Sequence, residues 1–273
     1  MRKRKYLIGV AAGLALAVGV SGVASASITF NKQSLVVTAS SGKQDKKTPG
    51  PINSLFTDVI TDYTNTGSGT PDRYATNTKV YFPKDFVFTT TGLPQCNIDQ
   101  AGFQDGTEAN AKALCGSSQV GSGTANLTSA LGNTPAVVTA FNATPVGGLP
   151  RIALHSATPL ANRTLIGTLK PSDVAGYGKM LDVPVDLGPF QGVAAITDFR
   201  VTIPKVKLPS KGKAASSAKK KKKAAPKYYI MAKCSGNKTW NFQAITTYNA
   251  GSPSTAAATP TKCKQKATKK KKK

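Results

Sequence analysis

Apolar and polar side chains alternate most clearly in the second half of the chain. Leu181, Val183, Val185 and Leu187 interleave with Asp182, Pro184 and Asp186, and Phe199, Val201 and Ile203 interleave with Asp198, Arg200 and Thr202. A period of two puts each set on its own side of a strand, as in an antiparallel sheet with one dry and one wet face. Pro184 has no N–H for a ladder, so this strand is expected at a sheet edge. Further on, Tyr228, Ile230, Ala232 and Cys234 share one face. After Ser235 to Lys238, so do Trp240, Phe242, Ala244, Thr246 and Tyr248, and the two segments together predict a hairpin.

Strands are also predicted over residues 35–37, 79–82, 86–88, 137–141, 151–154, 164–169, 180–187 and 196–203, separated by Gly, Pro, Asn and Ser turns. Pro83 breaks the second of these from the third. Leu55, Phe56, Val59, Ile60 and Tyr63 match helical spacing, yet Thr57, Val59, Ile60, Thr61 and Thr64 are β-branched and disfavour a helix, so residues 55–63 stay open between the two. A short helix is predicted over residues 108–114, capped by Asp105 or Thr107. Serial short strands joined by turns indicate an all-β fold, an antiparallel β-sandwich or barrel-like arrangement of one or two small β units.

The four cysteines change this picture, because local order favours Cys96 with Cys115 and Cys234 with Cys263. The N-terminus is consistent with an oxidising destination. Arg2 to Lys5 form a basic segment, Leu7 to Val20 an uncharged run too short and too rich in Ala and Gly for a membrane span, and Ala24-Ser25-Ala26 a small-residue cleavage site. Residues 1–26 therefore read as a signal peptide and the product as secreted or associated with the cell envelope; an uncleaved signal anchor is the competing reading. Residues 27–204 form the β-rich body and 228–263 a C-terminal hairpin and disulfide region.

The net charge of +25 lies mostly outside these regions. Residues 205–227 hold ten lysines and no acid, residues 262–273 hold eight lysines, and the signal holds four basic residues. Both lysine-rich segments, the insertion 205–227 and the tail 264–273, have too little apolar surface to offset ordering entropy and are expected to be disordered. Lys219, Lys220, Lys221, Lys222 and Lys223, with Lys269, Lys270, Lys271, Lys272 and Lys273, offer point charges without the bidentate or stacking groups that read bases. Sequence-specific nucleic-acid binding is thereby disfavoured. The partner chemistry that fits is weak, salt-sensitive contact with anionic wall polymers or lipid headgroups; the alternative is a solubilising linker with no partner.

Several turn glycines, cysteines and aromatics carry a resemblance. Gly92-Leu93-Pro94-Gln95-Cys96, Cys115 with Gly121-Ser122-Gly123-Thr124-Ala125, Gly176-Tyr177-Gly178, and Cys234 with Trp240, Tyr248 and Cys263 resemble a family of secreted, Cys-paired, β-rich proteins of unknown function from high-GC Gram-positive bacteria. The family often has Pro directly after the second cysteine, where this chain has Gly116. The resemblance implies a scaffold and brings no catalytic residues with it.

Candidate chemistry is sparse. His155 is the only histidine and, opposite Ile152 and Leu154 in the alternation, is expected at the surface or rim. No G-x-S-x-G elbow accompanies it. Asp182 and Asp186 fall on the predicted wet face. Asn97, Asp99, Asp105 and Glu108 take EF-hand-like positions around Gly102, but Ala101 occupies a ligand position and Cys96 leaves no room for an entering helix. A four-thiolate metal site lacks the CxxC spacing, and no cofactor is called for. The sequence thus points to an exported, non-enzymatic structural or adhesive module. One alternative is a secreted hydrolase whose Asp, Tyr or Lys groups converge only in the fold. Another is a carbohydrate-binding module using Trp240 and Tyr248 as a stacking platform, against which stands a core role for the Trp.

Overall fold

The computed structural model describes residues 28–66, 69–159, 161–208 and 228–267. The predicted signal peptide, most of the lysine-rich insertion and the last six residues, including all ten lysines singled out for polyanion contact, lie outside them.

The fold is all-β and antiparallel. Its strands are β1 (Ile28–Ser41), β2 (Gly50–Asn65), β3 (Ala75–Pro83), β4 (Phe86–Phe88), β5 (Gln119–Ser129), β6 (Gly132–Val146), β7 (Leu149–Ala157), β8 (Asn162–Pro171), β9 (Tyr177–Pro184), β10 (Ala194–Pro204), β11 (Ile230–Ala232), β12 (Thr239–Trp240), β13 (Gln243–Tyr248), β14 (Ser254–Ala257) and β15 (Thr261–Lys262). Its helix α1 (Glu108–Cys115) starts where Thr107 Oγ1 accepts from the Asn110 N–H at 3.2 Å. Thirteen strands form one sheet, in the order β14-β13-β3-β9-β8-β7-β6-β5-β10-β2-β11-β4 with β1 paired on β2. β5 to β9 run as a meander, each paired with the next.

The sheet curls so that its far parts meet without closing into a barrel. Gln33 of β1 donates to Thr246 of β13, the Phe30 and Tyr248 rings lie 4.9 Å apart, and Thr261 Oγ1 donates to the Val37 carbonyl at 3.3 Å. These are side-chain contacts; no backbone ladder joins β1 to β13 or β14. The result is sandwich-like, with Leu35, Leu55 and Ile203 on one side of the main core and Val80, Leu165 and Val183 on the other.

Several sequence expectations need correction. Residues 55–63 belong to the sixteen-residue strand β2; their helix-like spacing arises because its outward residues Phe56 and Ile60 also find partial cover. The two segments after residue 228 are strands but not partners. β11 pairs with β2 and β4, whereas β13 pairs with β3 and β14. Alternation set their faces correctly and could not set their partners. Pro184 does not mark an edge: β9 lies between β3 and β8, and Pro184 is its last residue, where the ladder ends. Within the described part of the 205–227 segment, Lys207 bridges to Tyr228 and Leu208 is buried.

Both locally favoured disulfides are present, with Cα separations of 5.2 Å for Cys96–Cys115 and 5.8 Å for Cys234–Cys263. The second lies next to the short β12–β15 ladder, which includes Trp240; this residue is fully buried, donates its Nε1–H to the Lys233 carbonyl at 2.9 Å and meets Phe86 edge-on. The first lies outside the sheet. Cys96 runs beside β6, its N–H reaching the Asn142 carbonyl at 2.8 Å while Thr144 N–H returns to the Cys96 carbonyl at 2.9 Å. Residues 96–118 are thereby laid over the outer faces of β6 and β7, where Ile98, Phe103, Ala111, Phe141 and Ala153 make a second small core.

Candidate functional site

The inward face of the curled sheet is where chemistry and space coincide. Leu55 and Val59 of β2, Val201 of β10, Leu154 of β7, Leu165 of β8 and Val183 of β9 line a cavity of about 110 Å³. Among the described residues its only polar lining comes from threonines, and no ionisable side chain borders it. Leu165, Ile196 and Phe199 also border a second cavity of about 220 Å³ that leads outward between the β5–β6 turn and the segment before β10. Leu131, at the tip of that turn, is 89% exposed, and Val193 opposite it is half-exposed. Leu165, Ile196 and Phe199 thus form an apolar wall shared by an inner chamber and its mouth.

Among the described residues the mouth also carries polar side chains, Ser129, Thr134, Ser156, Thr158 and Arg163. Ser156 and Arg163 are directly opposed in the β7–β8 ladder and lie on the same inward face as the Leu154–Leu165 pair. Ser156 Oγ and Arg163 Nε are both buried, and neither has a hydrogen-bond partner among the described residues. Arg163 extends over Gly188, where a Cβ would collide with the guanidinium, and its Nη1 pairs with Asp105 at 3.0 Å. Neither residue was singled out from sequence. The available signal was a charged residue heading an otherwise apolar inward set, Arg163-x-Leu165-x-Gly167-x-Leu169.

The residues that were singled out are scattered. His155 is not a surface or rim residue; it is fully buried. It does point away from Leu154, but the outer face of β7 is covered by residues 96–118, so the side opposite the main core is dry as well. Its Nδ1 lies 3.0 Å from Thr164 Oγ1 and Phe103 packs on the ring. Burial holds its pKa below the ordinary value, while Glu108 and the Gly106 backbone pull the other way.

Asp186, on the expected wet face, accepts from the Gly188 N–H at 2.7 Å. Asp182 is largely covered and pairs with Lys170 and Asn77; burial raises its pKa, but these partners outweigh it and leave the value lowered. Of the calcium candidates, Asn97 accepts from the Asp99 N–H at 3.2 Å, Asp105 pairs with Arg163, and Glu108 pairs with Lys112 and accepts from Thr139. No group of three His, Cys, Asp or Glu converges on one point among the described residues.

An Asp, Tyr and Lys grouping does exist, on the outer side of β3 and β9, where Lys79 binds Asp173 at 2.8 Å beside Tyr81. Lys79 and Tyr81 hold the Asp173 carboxyl low, while burial and that carboxylate push the Tyr81 phenol up. Neither shift brings its group toward neutrality, where acid–base catalysis works best. Trp240 and Tyr248 are both buried, so they present no platform for a sugar ring.

Among the described residues no helix is long and apolar enough to cross a membrane. Comparison of the chain with protein-family models, curated proteins and solved structures finds no match.

Proposed function

We propose that the chain is an exported, non-enzymatic module of the cell envelope whose curled sheet holds the apolar part of a small hydrophobic ligand. Its lysine runs supply weak contact with anionic wall polymers or lipid headgroups. The carrying observation is the apolar chamber and the wall of Leu165, Ile196 and Phe199 that it shares with its mouth. Protein interiors pack with few voids larger than a water molecule, and an unfilled void costs about 24 cal/mol per Å³. At that rate the inner chamber alone costs about 2–3 kcal/mol, a large fraction of a domain's net stability. With the adjoining cavity of about 220 Å³ the apolar space exceeds the roughly 150 Å³ void that takes up one benzene, which leaves room for a larger ligand. A ligand offsets that cost by restoring the missing contacts.

An apolar fluorophore such as 1-aminoanthracene, titrated into the purified protein, should show saturable uptake. Val183→Phe, which fills the chamber, should abolish it. No saturable uptake, or uptake indifferent to the filling, would overturn the reading. The lysine-run component is tested separately by cosedimentation with cell walls: retention at low salt that is lost at high salt supports it, and retention that ignores salt, or none, contradicts it.

A further inference from the structure

We infer that the mouth selects a single-chain amphiphile with an anionic headgroup, whose oxygens are taken by Arg163 and Ser156 while its chain enters the apolar chamber. This rests on reading the cavity as a ligand site and names the class of ligand.

A buried donor without an acceptor forfeits a hydrogen bond it would make in water, so native structures leave few of them. Here two stand side by side: Ser156 Oγ and Arg163 Nε are contributed by directly opposed residues of β7 and β8, line the same cavity, and find no acceptor among the described residues. Both can donate, and what would satisfy them together is a group with two acceptor oxygens. A guanidinium carries its N–H groups in a planar fork that matches a carboxylate or phosphate.

The position also fits an amphiphile. Leu165, next inward from Arg163 on its face of β8, borders both chambers, so a headgroup held at Arg163 starts its chain at the apolar passage. The present anionic partner is a loose one, because Asp105 is 76% exposed at the side chain and engages only Nη1. Asp105 therefore acts as a stand-in that a ligand's headgroup competes with or joins.

The test is displacement of 1-aminoanthracene from the purified protein by dodecanoate, dodecyl phosphate and dodecanol, which share one chain. The anionic compounds should compete about tenfold better than the alcohol, the usual size of a charge-assisted hydrogen bond; whichever of the two is stronger identifies the headgroup as carboxylate or phosphate. Arg163→Met should remove that advantage and leave dodecanol unchanged. Asp105→Asn should widen it and, being a surface change, decides the matter if Arg163→Met fails to fold. Equal competition by dodecanol, an advantage that survives Arg163→Met, or one that Asp105→Asn leaves unaltered would overturn the inference while leaving the ligand reading intact. Failure of the fluorophore to bind at all would overturn both.

Discussion

The strands β7 and β8 have two faces that are treated in opposite ways. Their outer face, under residues 96–118, is filled to the point that Phe103, Phe141, Ala153 and His155 are all fully buried and a polar ring is enclosed among apolar ones. Their inner face, carrying the buried Leu154 and Leu165, borders the cavity of about 110 Å³. One chain and one pair of strands produce both, so the interior void does not reflect a general inability of this sequence to pack. It is local, and what is local and costly calls for a use.

The contrast can be broken in order of effect. Phe141→Ala on the filled side should cost about 3–5 kcal/mol in a denaturant titration, and a loss under 1 kcal/mol would mean the outer core is loose. Replacing Cys96 and Cys115 together by Ala should cost roughly 3 kcal/mol, since the bond closes a loop of 19 residues. Uptake of the apolar fluorophore should survive that change, because the inner chamber is lined without residues 96–118; its loss would show the two faces to be coupled.

Insertion of volume is the sharper comparison. Ala153→Leu, into the filled side, should destabilise by about 1–3 kcal/mol. Val183→Leu, into the chamber, should be neutral or stabilise by up to about 1 kcal/mol, the value of one buried methylene. Equal costs at the two positions would erase the distinction.

The smallest effect belongs to His155. Its folded pKa lies below 6.5 because burial disfavours the cation, so the unfolded chain binds the proton more readily. Stability is therefore complete above about pH 6.5 and declines as pH falls from there toward the depressed folded value. Glu108 and the Gly106 backbone oppose the depression and narrow that window. Melting followed from pH 7.5 to 5 should show the decline, and His155→Gln should flatten it. An unchanged slope would assign the decline to other groups.

Much of the scaffold was legible because it is local. Period-two alternation at Leu181 to Leu187 and Phe199 to Ile203, the helix at Glu108, its Thr107 cap and the nearest-neighbour cysteine pairs are all set within a few tens of residues. What escaped is non-local. β11 and β13 alternate as expected, but the partners of β11 (β2 and β4) and the partner β3 of β13 lie roughly 140 residues or more back along the chain. His155 was misplaced because alternation shows which way a side chain points and not what lies above it. The chamber escaped because under-filling depends on the separation of the two walls, which no single strand encodes. The Ser156–Arg163 pair needed both the β7–β8 register and the knowledge that the face they share is inward.

The central claim is that the void on the inner face is a ligand site, and methyl-resolved NMR with dodecanol as the added ligand tests it most directly. Saturable shifts should appear at the methyl groups of Leu154, Leu165 and Val183 and should leave Ile98 and Ala153, on the filled side, unmoved. Shifts confined to Ile98 and Ala153, or none at the three inward residues, would contradict it.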